Sequence, residues 1–117
     1  MKKKEIRGKY MEKSGIFAYT HARKTVVRKE REAVAEDLLK RRVEAAGGLC
    51  LKFGTNGMPD RIVILRGRVT FIELKRPGGV PRPDQLYCID KLQRAGADVR
   101  ALAGSDEVRR WCDEQDI

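Results

Sequence analysis

Apolar and polar residues alternate along the middle of the chain in a pattern that predicts two strands joined by a tight turn. Residues 61–65 and 69–74 are rich in Val, Ile, Thr and Phe, and Gly67 lies in the short break between them. Short β-branched runs on either side of a glycine-containing turn are typical of an antiparallel hairpin. A further apolar run, residues 49–53, precedes the hairpin and predicts an additional strand.

Three helices and a last strand are predicted around this hairpin. Residues 28–46 place apolar side chains at helical spacing and stop at a Gly-Gly pair. Pro83 opens a second helix, residues 99–102 form a final strand, and Ser105 is the predicted cap of a closing helix. The order αβββαβα predicts an α/β fold with a mixed sheet flanked by helices. The crossover helix allows the third and fourth strands to be parallel.

The apolar side of the first helix is predicted to consist of six residues, which are Val34, Ala35, Leu38, Leu39, Ala45 and Ala46. Val43 lies at one margin of this side, and Glu32 and Glu36 lie one turn apart near the same margin. An acid at the edge of a buried face can reach a site on the sheet beneath the helix. An alternative interpretation of Glu32 and of Glu36 is a surface acid that pairs with neighbouring lysines and arginines.

Three charged residues converge at one end of the predicted hairpin. Side chains alternate between the faces of a strand, so Glu73 and Lys75 share the face of Val69 and Phe71. Asp60 starts the partner strand and therefore lies beside the end of the second. Two adjacent carboxylates are unfavourable unless a cation lies between them, and Mg²⁺ is commonly held by one or two carboxylates. The pattern predicts metal-assisted phosphodiester hydrolysis rather than ordinary solvated charges, with Lys75 orienting water or holding a phosphate oxygen.

These residues form a pattern that resembles the PD-(D/E)XK nuclease signature. Pro59-Asp60 followed by Glu73-Leu74-Lys75 carries that resemblance. A longer and more specific pattern resembles the VRR-NUC (virus-type replication-repair nuclease) family over about two-thirds of the chain. Its matching pieces are Gly57 to Arg61, Phe71 to Gly78, Gln85 and Gly96. The resemblance implies a restriction-endonuclease-like core and a metal-dependent DNA endonuclease.

The resemblance also implies roles for individual residues. The catalytic set that it implies is Asp60, Glu73, Lys75, Glu36 and Gln85. Asp60 and Glu73 would bind Mg²⁺ or Mn²⁺ together with the main-chain carbonyl of Leu74. The distance to the Gly-Gly pair favours Glu36 as the helix glutamate, with Glu32 as the alternative. By analogy with stand-alone members, often phage-borne, the protein would be a homodimer that cuts branched DNA such as Holliday junctions.

Positive charge is concentrated at the N-terminus. Residues 1–31 hold 11 Lys and Arg against 3 Asp and Glu, whereas residues 32–117 hold 15 against 14. A basic arm over residues 1–27, attached to a nearly neutral domain over residues 28–117, predicts contact with a phosphate backbone; a solvated tail is the alternative. The candidate DNA-binding residues are Lys2, Lys3, Lys4, Lys52, Arg61, Arg76 and Arg82.

The remaining composition excludes several other classes of protein. The three cysteines are scattered, and His21 is the only histidine, which excludes a structural zinc site. An odd number of cysteines is typical of a reducing compartment, and the chain shows neither a secretory signal nor a membrane span. We therefore expect a cytoplasmic protein without a membrane partner. A rival interpretation is a non-catalytic nucleic-acid-binding module that uses the arm, and a nearer rival is an RNA-cutting enzyme.

Overall fold

A four-stranded sheet organises residues 30–117, which are the residues that the computed structural model describes. The elements are α1 (Glu32–Ala45), β1 (Leu49–Lys52), β2 (Arg61–Leu65), β3 (Arg68–Lys75), α2 (Pro83–Arg94), β4 (Asp98–Ala103) and α3 (Ser105–Glu114). The predicted order αβββαβα is confirmed. Neither α1, α2 nor α3 is long and apolar enough to cross a membrane.

The strands lie in the order β1-β2-β3-β4. β1 pairs antiparallel with β2, and β2 pairs antiparallel with β3. β3 and β4 are parallel, as the crossover helix between them predicted. The hairpin turns at Arg66 and Gly67, whose φ angles are +51° and +79°. Two consecutive positive φ angles are typical of the tight type I′ hairpin turn, and glycine adopts them without steric cost.

Helices pack on both faces of the sheet. α1 and α3 cover one face, where Leu39, Val43 and Trp111 pack against Ile72 and Leu74 of β3. α2 lies on the other face, where Ile89 packs against Val99, Ala101 and Ala103 of β4, with Phe71 of β3 beside them. The predicted alternation along β3 is therefore confirmed, because Phe71 and Ile72 contribute to opposite faces.

The interior side of α1 is rotated from the prediction. Ala35, Leu39 and Val43 are its buried residues, whereas Val34 is 48% exposed. The predicted apolar side was centred too far from Val43, which is fully buried. The reason is that α3 packs beside α1, so the buried stripe follows the line of residues between α3 and the sheet.

Two predicted helix boundaries are wrong, and one contact explains both. α1 begins at Glu32, not near residue 28, because Glu30 and Arg31 are not helical. The carboxylate of Glu30 instead accepts hydrogen bonds from the backbone N–H (3.2 Å) and the hydroxyl of Ser105. Ser105 is thus the first residue of α3 and not its cap, which is Gly104. The predicted arm, residues 1–27, lies outside the described residues.

Candidate active site

Glu73 is the central side chain of the site. It lies near the end of β3, and only 1% of its surface is exposed. Among the described residues, no group other than the ammonium of Lys75 pairs with its carboxylate oxygens. The Nζ of Lys75 is 3.2 Å from Oε2, so an ion pair is the main compensation for burying this charge. A buried carboxylate with open lone pairs is a ready ligand for a cation.

The electrostatic surroundings of Glu73 favour the same conclusion. Burial is the largest cause that raises the pKa of Glu73 from 4.5 to about 7, and the negative charge of Asp60 is the next. The positive charge of Lys75 opposes both and only partly compensates them. The site therefore holds more negative charge than its protein groups neutralise, and a divalent cation would neutralise it.

Asp60 lies opposite Glu73 on the neighbouring strand, as predicted. The register pairs Arg61 with Ile72, so the preceding residue of β2 faces the following residue of β3. One carboxylate oxygen of Asp60, Oδ2, accepts a hydrogen bond of 2.8 Å from the backbone N–H of Leu74. This bond fixes the side chain against the strand that carries Glu73 and leaves its other oxygen for a ligand.

The loop before Asp60 is shaped by a glycine. Gly57 has a φ of +82°, a conformation that L residues with side chains rarely adopt. A Cβ added there would lie 3.4 Å from the Sγ of Cys88 and 3.8 Å from a carboxylate oxygen of Asp84. The loop therefore passes close to α2, and this approach positions Asp60 at the start of β2.

Lys75 is held at the end of β3 by the junction between β4 and α3. Its side chain is 14% exposed, and its carbonyl accepts a hydrogen bond of 2.7 Å from the N–H of Gly104. Gly104 has a φ of +88°, and a Cβ there would lie 2.8 Å from Pro77. The sequence analysis did not single out this glycine. The signal was available, since a glycine between a strand and a helix often marks a tight junction.

A metal ion would find the two carboxylates of Asp60 and Glu73 here. Within residues 30–117, no group of three or more His, Cys, Asp and Glu side chains is arranged to hold a metal ion. The buried, uncompensated carboxylate of Glu73 beside Asp60 nevertheless fits a hard divalent cation. Mg²⁺ needs only one or two carboxylates and fills its other positions with water, carbonyl or phosphate oxygens. The donor set is therefore compatible with Mg²⁺ or Mn²⁺.

The structure does not bring Glu36 together with the other carboxylates. Its Oε2 is 2.8 Å from the Nε of Arg61 and 3.0 Å from the Nζ of Lys52. Burial alone would raise the pKa of Glu36, but the hydrogen bonds from Lys52 and Arg61 outweigh it and lower that pKa. Arg61 opposes Ile72 and so lies on the α1 face of the sheet, away from the face of Glu73.

Glu32 lies near enough to the site for its charge to act on Glu73. It is exposed in the first turn of α1. Its negative charge is one of the causes that raise the pKa of Glu73, after burial and Asp60. Since Glu36 is paired with Arg61 and Lys52, Glu32 becomes the stronger candidate for the helix glutamate of the site.

Gln85 is almost completely buried in the first turn of α2. Its Oε1 accepts a hydrogen bond of 2.9 Å from the backbone N–H of Arg82. This contact ties the helix start to the loop over residues 76–82, so the amide has a structural role beside the predicted catalytic one. The predicted contact with water or phosphate stays a prediction.

The predicted DNA-binding residues fall into three groups. Arg76 and Arg82 are exposed on the loop that follows Lys75, and Arg82 pairs with Asp84 at 3.2 Å. The hydrogen bond that Arg82 donates to Asp84 is the main cause that raises the pKa of Arg82, and the negative charges of Asp84, Glu73 and Asp60 add to it.

Arg61 and Lys52 belong to the second group, since both pair with Glu36. The guanidinium of Arg61 is 11% exposed and also donates to the carbonyl of Cys50 at 3.0 Å. Arg61 is therefore a nearly buried link between Glu36 of α1 and the backbone of β1. The Lys52 side chain, in contrast, is 70% exposed. The third group, Lys2, Lys3 and Lys4, lies outside the described residues.

Comparison with known proteins identifies the family of this chain. The family model of the VRR-NUC domain matches residues 4–106, and this match begins inside the predicted basic arm. A protein named "Putative nuclease p44", from Acyrthosiphon pisum secondary endosymbiont phage 1, is 39% identical over 80 residues, which are 65% of this chain and 86% of the relative.

A solved structure described as a VRR_NUC domain is similar in fold. It superposes with a TM-score of 0.64 at 33% identity, and the match covers 70% of this chain and 94% of that one. The restriction-endonuclease-like arrangement predicted from the sequence thus agrees with the described fold. Since the family model spans most of the chain, and the phage relative shares more than a third of its residues over the matched region, the protein belongs to the VRR-NUC domain family of nucleases.

Proposed function

We propose that the protein is a metal-dependent endonuclease that hydrolyses phosphodiester bonds in DNA. The observation that carries this proposal is the buried carboxylate of Glu73, which lies beside Asp60 and has the ammonium group of Lys75 as its one partner among the described residues. A module that only bound nucleic acid would gain nothing from two carboxylates at this point, because they repel phosphate. The non-catalytic alternative is therefore less consistent with the site.

Each group of the site has a proposed task. Asp60, Glu73 and the carbonyl of Leu74 bind Mg²⁺ or Mn²⁺, and Glu32 adds charge at the edge of the site. When bound, the ion would polarise the phosphate and lower the pKa of a water molecule. Lys75 donates a hydrogen bond to the attacking water or to a phosphate oxygen, and its pairing with Glu73 keeps its ammonium group at the reacting centre.

The loop that follows β3 is the proposed contact with the DNA backbone. Arg76 and Arg82 are exposed there. The negative charges of Asp60 and Glu73 contribute to the raised pKa of Arg82. Arginine forms paired hydrogen bonds with phosphate oxygens, which would hold the strand without reading its sequence. The basic arm, residues 1–27, would extend this contact.

We extend the proposal to branched DNA and to a homodimer. One chain offers one pair of carboxylates, and one such site cuts one strand. A two-fold dimer would present two sites in opposite orientations, as paired cuts in a four-way junction require. The resemblance to stand-alone, phage-borne members of the family supports this extension.

Cleavage of labelled four-way-junction, flap and linear duplex DNA tests the proposal. The assays would compare Mg²⁺, Mn²⁺ and EDTA, for wild type, Glu73→Gln and the exposed-acid control Asp37→Asn. We expect metal-dependent cutting, strongest on the junction, that is lost in Glu73→Gln and kept in Asp37→Asn. DNA binding without cleavage in the presence of either metal ion would overturn the proposal that the protein is an enzyme. Preferential cleavage of RNA of the same sequence would overturn the proposal that DNA is its substrate.

A further inference from the structure

Tyr87 is the most exposed large hydrophobic side chain among the described residues. It lies in the first half of α2, and 65% of its surface is accessible to water. The residues that bury α2 against the sheet are Gln85 and Ile89, so the ring of Tyr87 contributes little to the core. An aromatic ring left in water offers a large, rigid surface to a ligand.

The ring of Tyr87 is accompanied by a cation. The Nζ of Lys91, one turn further along α2, is 5.4 Å from the ring centroid, where an ammonium group is attracted by the electron-rich face of the ring. Both acids of α2 are already paired, with Arg82 and with Arg94. No carboxylate of residues 30–117 forms an ion pair with Lys91, so its charge is available to a phosphate. We refer to Tyr87 and Lys91 as the aromatic–cation pair.

The edge of α2 that carries the aromatic–cation pair borders the loop before Asp60. Asp84 and Cys88 reach this loop, since a Cβ added at Gly57 would lie 3.8 Å and 3.4 Å from their side chains. Each member of the pair follows one of these two residues by three positions along the helix. Residues three apart are neighbours on a helix surface. The pair therefore lies alongside the loop that positions Asp60.

The start of α2 is also close to the carboxylates of the site. Glu73 shares the sheet face of Phe71, which is the face that α2 covers. Arg82 is the residue before α2, and the negative charges of Glu73 and Asp60 contribute to its raised pKa. Arg76 is exposed on the same loop. A DNA strand held at the carboxylates would therefore pass these arginines and then the aromatic–cation pair.

We propose that Tyr87 stacks on an unpaired nucleobase next to the scissile phosphate, and that Lys91 binds the phosphate of the same nucleotide. This inference rests on the proposed function, and it names the feature of branched DNA that the enzyme recognises. Inside a duplex the neighbouring bases cover both faces of each base. An aromatic side chain can stack only where a base face is free, as it is where strands separate at a flap.

A nucleobase fits the aromatic–cation pair better than a protein partner does. Aromatic residues that anchor a protein partner are normally surrounded by other contacts that exclude water. Here the neighbours are charged, because the exposed residues of α2 other than Pro83 and Tyr87 are Asp84, Asp90, Lys91 and Arg94. An aromatic ring in a cationic setting is instead the usual combination for binding single-stranded nucleic acid.

An abasic nucleotide tests the contact without requiring cleavage. Fluorescence anisotropy of the full chain in EDTA would measure binding to 5′ and 3′ flap DNA whose first unpaired nucleotide is either normal or abasic. On the normal flap of the preferred polarity, Tyr87→Leu should weaken binding at least about fivefold, whereas Tyr87→Phe keeps the ring and should not. On the abasic flap, wild type and Tyr87→Leu should bind equally, because the ring has no base to stack on.

A substitution of Lys91 separates its charge from the ring. Lys91→Gln should reduce the slope of log affinity against log salt by about 0.7, the value for one phosphate of a single strand. Tyr87→Leu should leave that slope unchanged, because stacking releases no counterions. Val34→Ala changes an exposed apolar side chain on α1 and should alter neither affinity nor slope. Circular dichroism would confirm that each variant is folded.

Two binding results would overturn the proposal. If Tyr87→Leu lost as much affinity on the abasic flap as on the normal flap, the ring would not act through the unpaired base. If Tyr87→Leu bound both flaps as tightly as wild type, the ring would have no contact with DNA, and a protein would be its remaining partner.

Cleavage assays separate this inference from the function on which it rests. With Mg²⁺ or Mn²⁺, wild type should have a kcat/KM at least about fivefold higher on the normal flap than on the abasic flap, through KM and not kcat. For Tyr87→Leu the two values should be nearly equal. Glu73→Gln should cut neither flap and still bind the normal one more tightly. A wild type with this binding preference but no cleavage would remove the proposed function and keep the stacking site, whereas cleavage without the preference would do the reverse.

Discussion

The carboxylate of Glu73 is buried, where its negative charge is unfavourable. The effect of this charge on the free energy of unfolding should therefore depend on pH in a predictable direction. Its pKa rises from 4.5 to about 7, chiefly through burial. Between those pH values the folded protein binds more protons than the unfolded chain, so the free energy of unfolding falls as pH rises across this window. Below pH 4.5 both states are protonated and the penalty is absent; above pH 7 it is complete.

Glu73→Gln should therefore stabilise the metal-free protein at alkaline pH. We expect a gain of up to about 3 kcal/mol at pH 8, which shrinks towards zero near pH 4.5. Urea denaturation in EDTA at a series of pH values would measure it. The exposed acid Asp37, changed to Asn, should shift the free energy of unfolding by less than about 0.5 kcal/mol at every pH. A Glu73→Gln variant that is less stable than wild type at pH 8 would contradict the explanation.

Substitutions of the two glutamates of α1 should have different effects, one on the free energy of unfolding and the other on cleavage. Glu36 holds the nearly buried guanidinium of Arg61, so Glu36→Gln should lower the free energy of unfolding by about 1–3 kcal/mol. Glu32 is exposed and near the site, so Glu32→Gln should leave stability unchanged and reduce metal-dependent cleavage at least about tenfold. Thermal denaturation beside cleavage rates would measure both. Loss of activity at unchanged stability in Glu36→Gln would restore Glu36 as the helix glutamate of the site.

At the scale of elements, the junction between β4 and α3 fixes the end of β3, where Lys75 lies. Gly104 donates its N–H to the carbonyl of Lys75, adopts a φ of +88° and leaves no room for a Cβ beside Pro77. Glu30 crosses from the residues before α1 to the first residue of α3 and binds the N–H of Ser105. The conformation of this junction therefore bears on the position of Lys75.

Gly104→Ala should be clearly destabilising. The combination of a positive φ and a clash with Pro77 is expected to lower the free energy of unfolding by about 2 kcal/mol or more. Gly54→Ala is the matched control, because a Cβ at Gly54 meets nothing within 4 Å and its backbone has no positive φ. Chemical denaturation should show Gly54→Ala to be neutral or slightly stabilising. Equal stability of the two variants would mean that the junction relaxes without cost.

The strands could be predicted from the sequence better than the helix ends, for a physical reason. Strand faces follow from a period of two, so the shared face of Phe71 and Glu73 can be read from the residues between them. The start of α1 depends instead on Glu30, whose partner Ser105 is 75 residues away. A contact of that kind leaves no local pattern, and for this reason both boundaries were predicted wrongly.

The same distinction applies to the candidate site at the scale of the whole molecule. Asp60 and Glu73 could be placed together because a hairpin fixes their register. The choice between Glu32 and Glu36 could not be made, because both lie near the same edge of one helix and only the position of Arg61 distinguishes them. Nor could the exposure of Leu49, Leu51 and Val69 be predicted, since it depends on which strands α2 covers.

Charge separates the chain into two parts, and the arm should therefore govern how binding responds to salt. Lys2, Lys3 and Lys4 belong to a stretch whose net charge is +8 over residues 1–31. If each contacts one phosphate, changing all three to Gln should reduce the slope of log affinity against log salt by about 3, because each neutralised phosphate contributes about 0.9. Binding to junction and duplex DNA should weaken alike, since phosphate contacts carry no sequence information.

A matched triple change on the described domain provides the control for the arm. Arg41, Arg109 and Arg110 are exposed on α1 and α3, on the side of the sheet opposite to Glu73. Changing these three to Gln removes the same charge, but should alter the salt slope by less than about 1, because long-range attraction is screened beyond roughly 10 Å at moderate salt. Fluorescence anisotropy over a salt series would measure both slopes. Equal slopes for the two triple variants would mean that net charge alone, and not contact by the arm, attracts DNA to this nuclease.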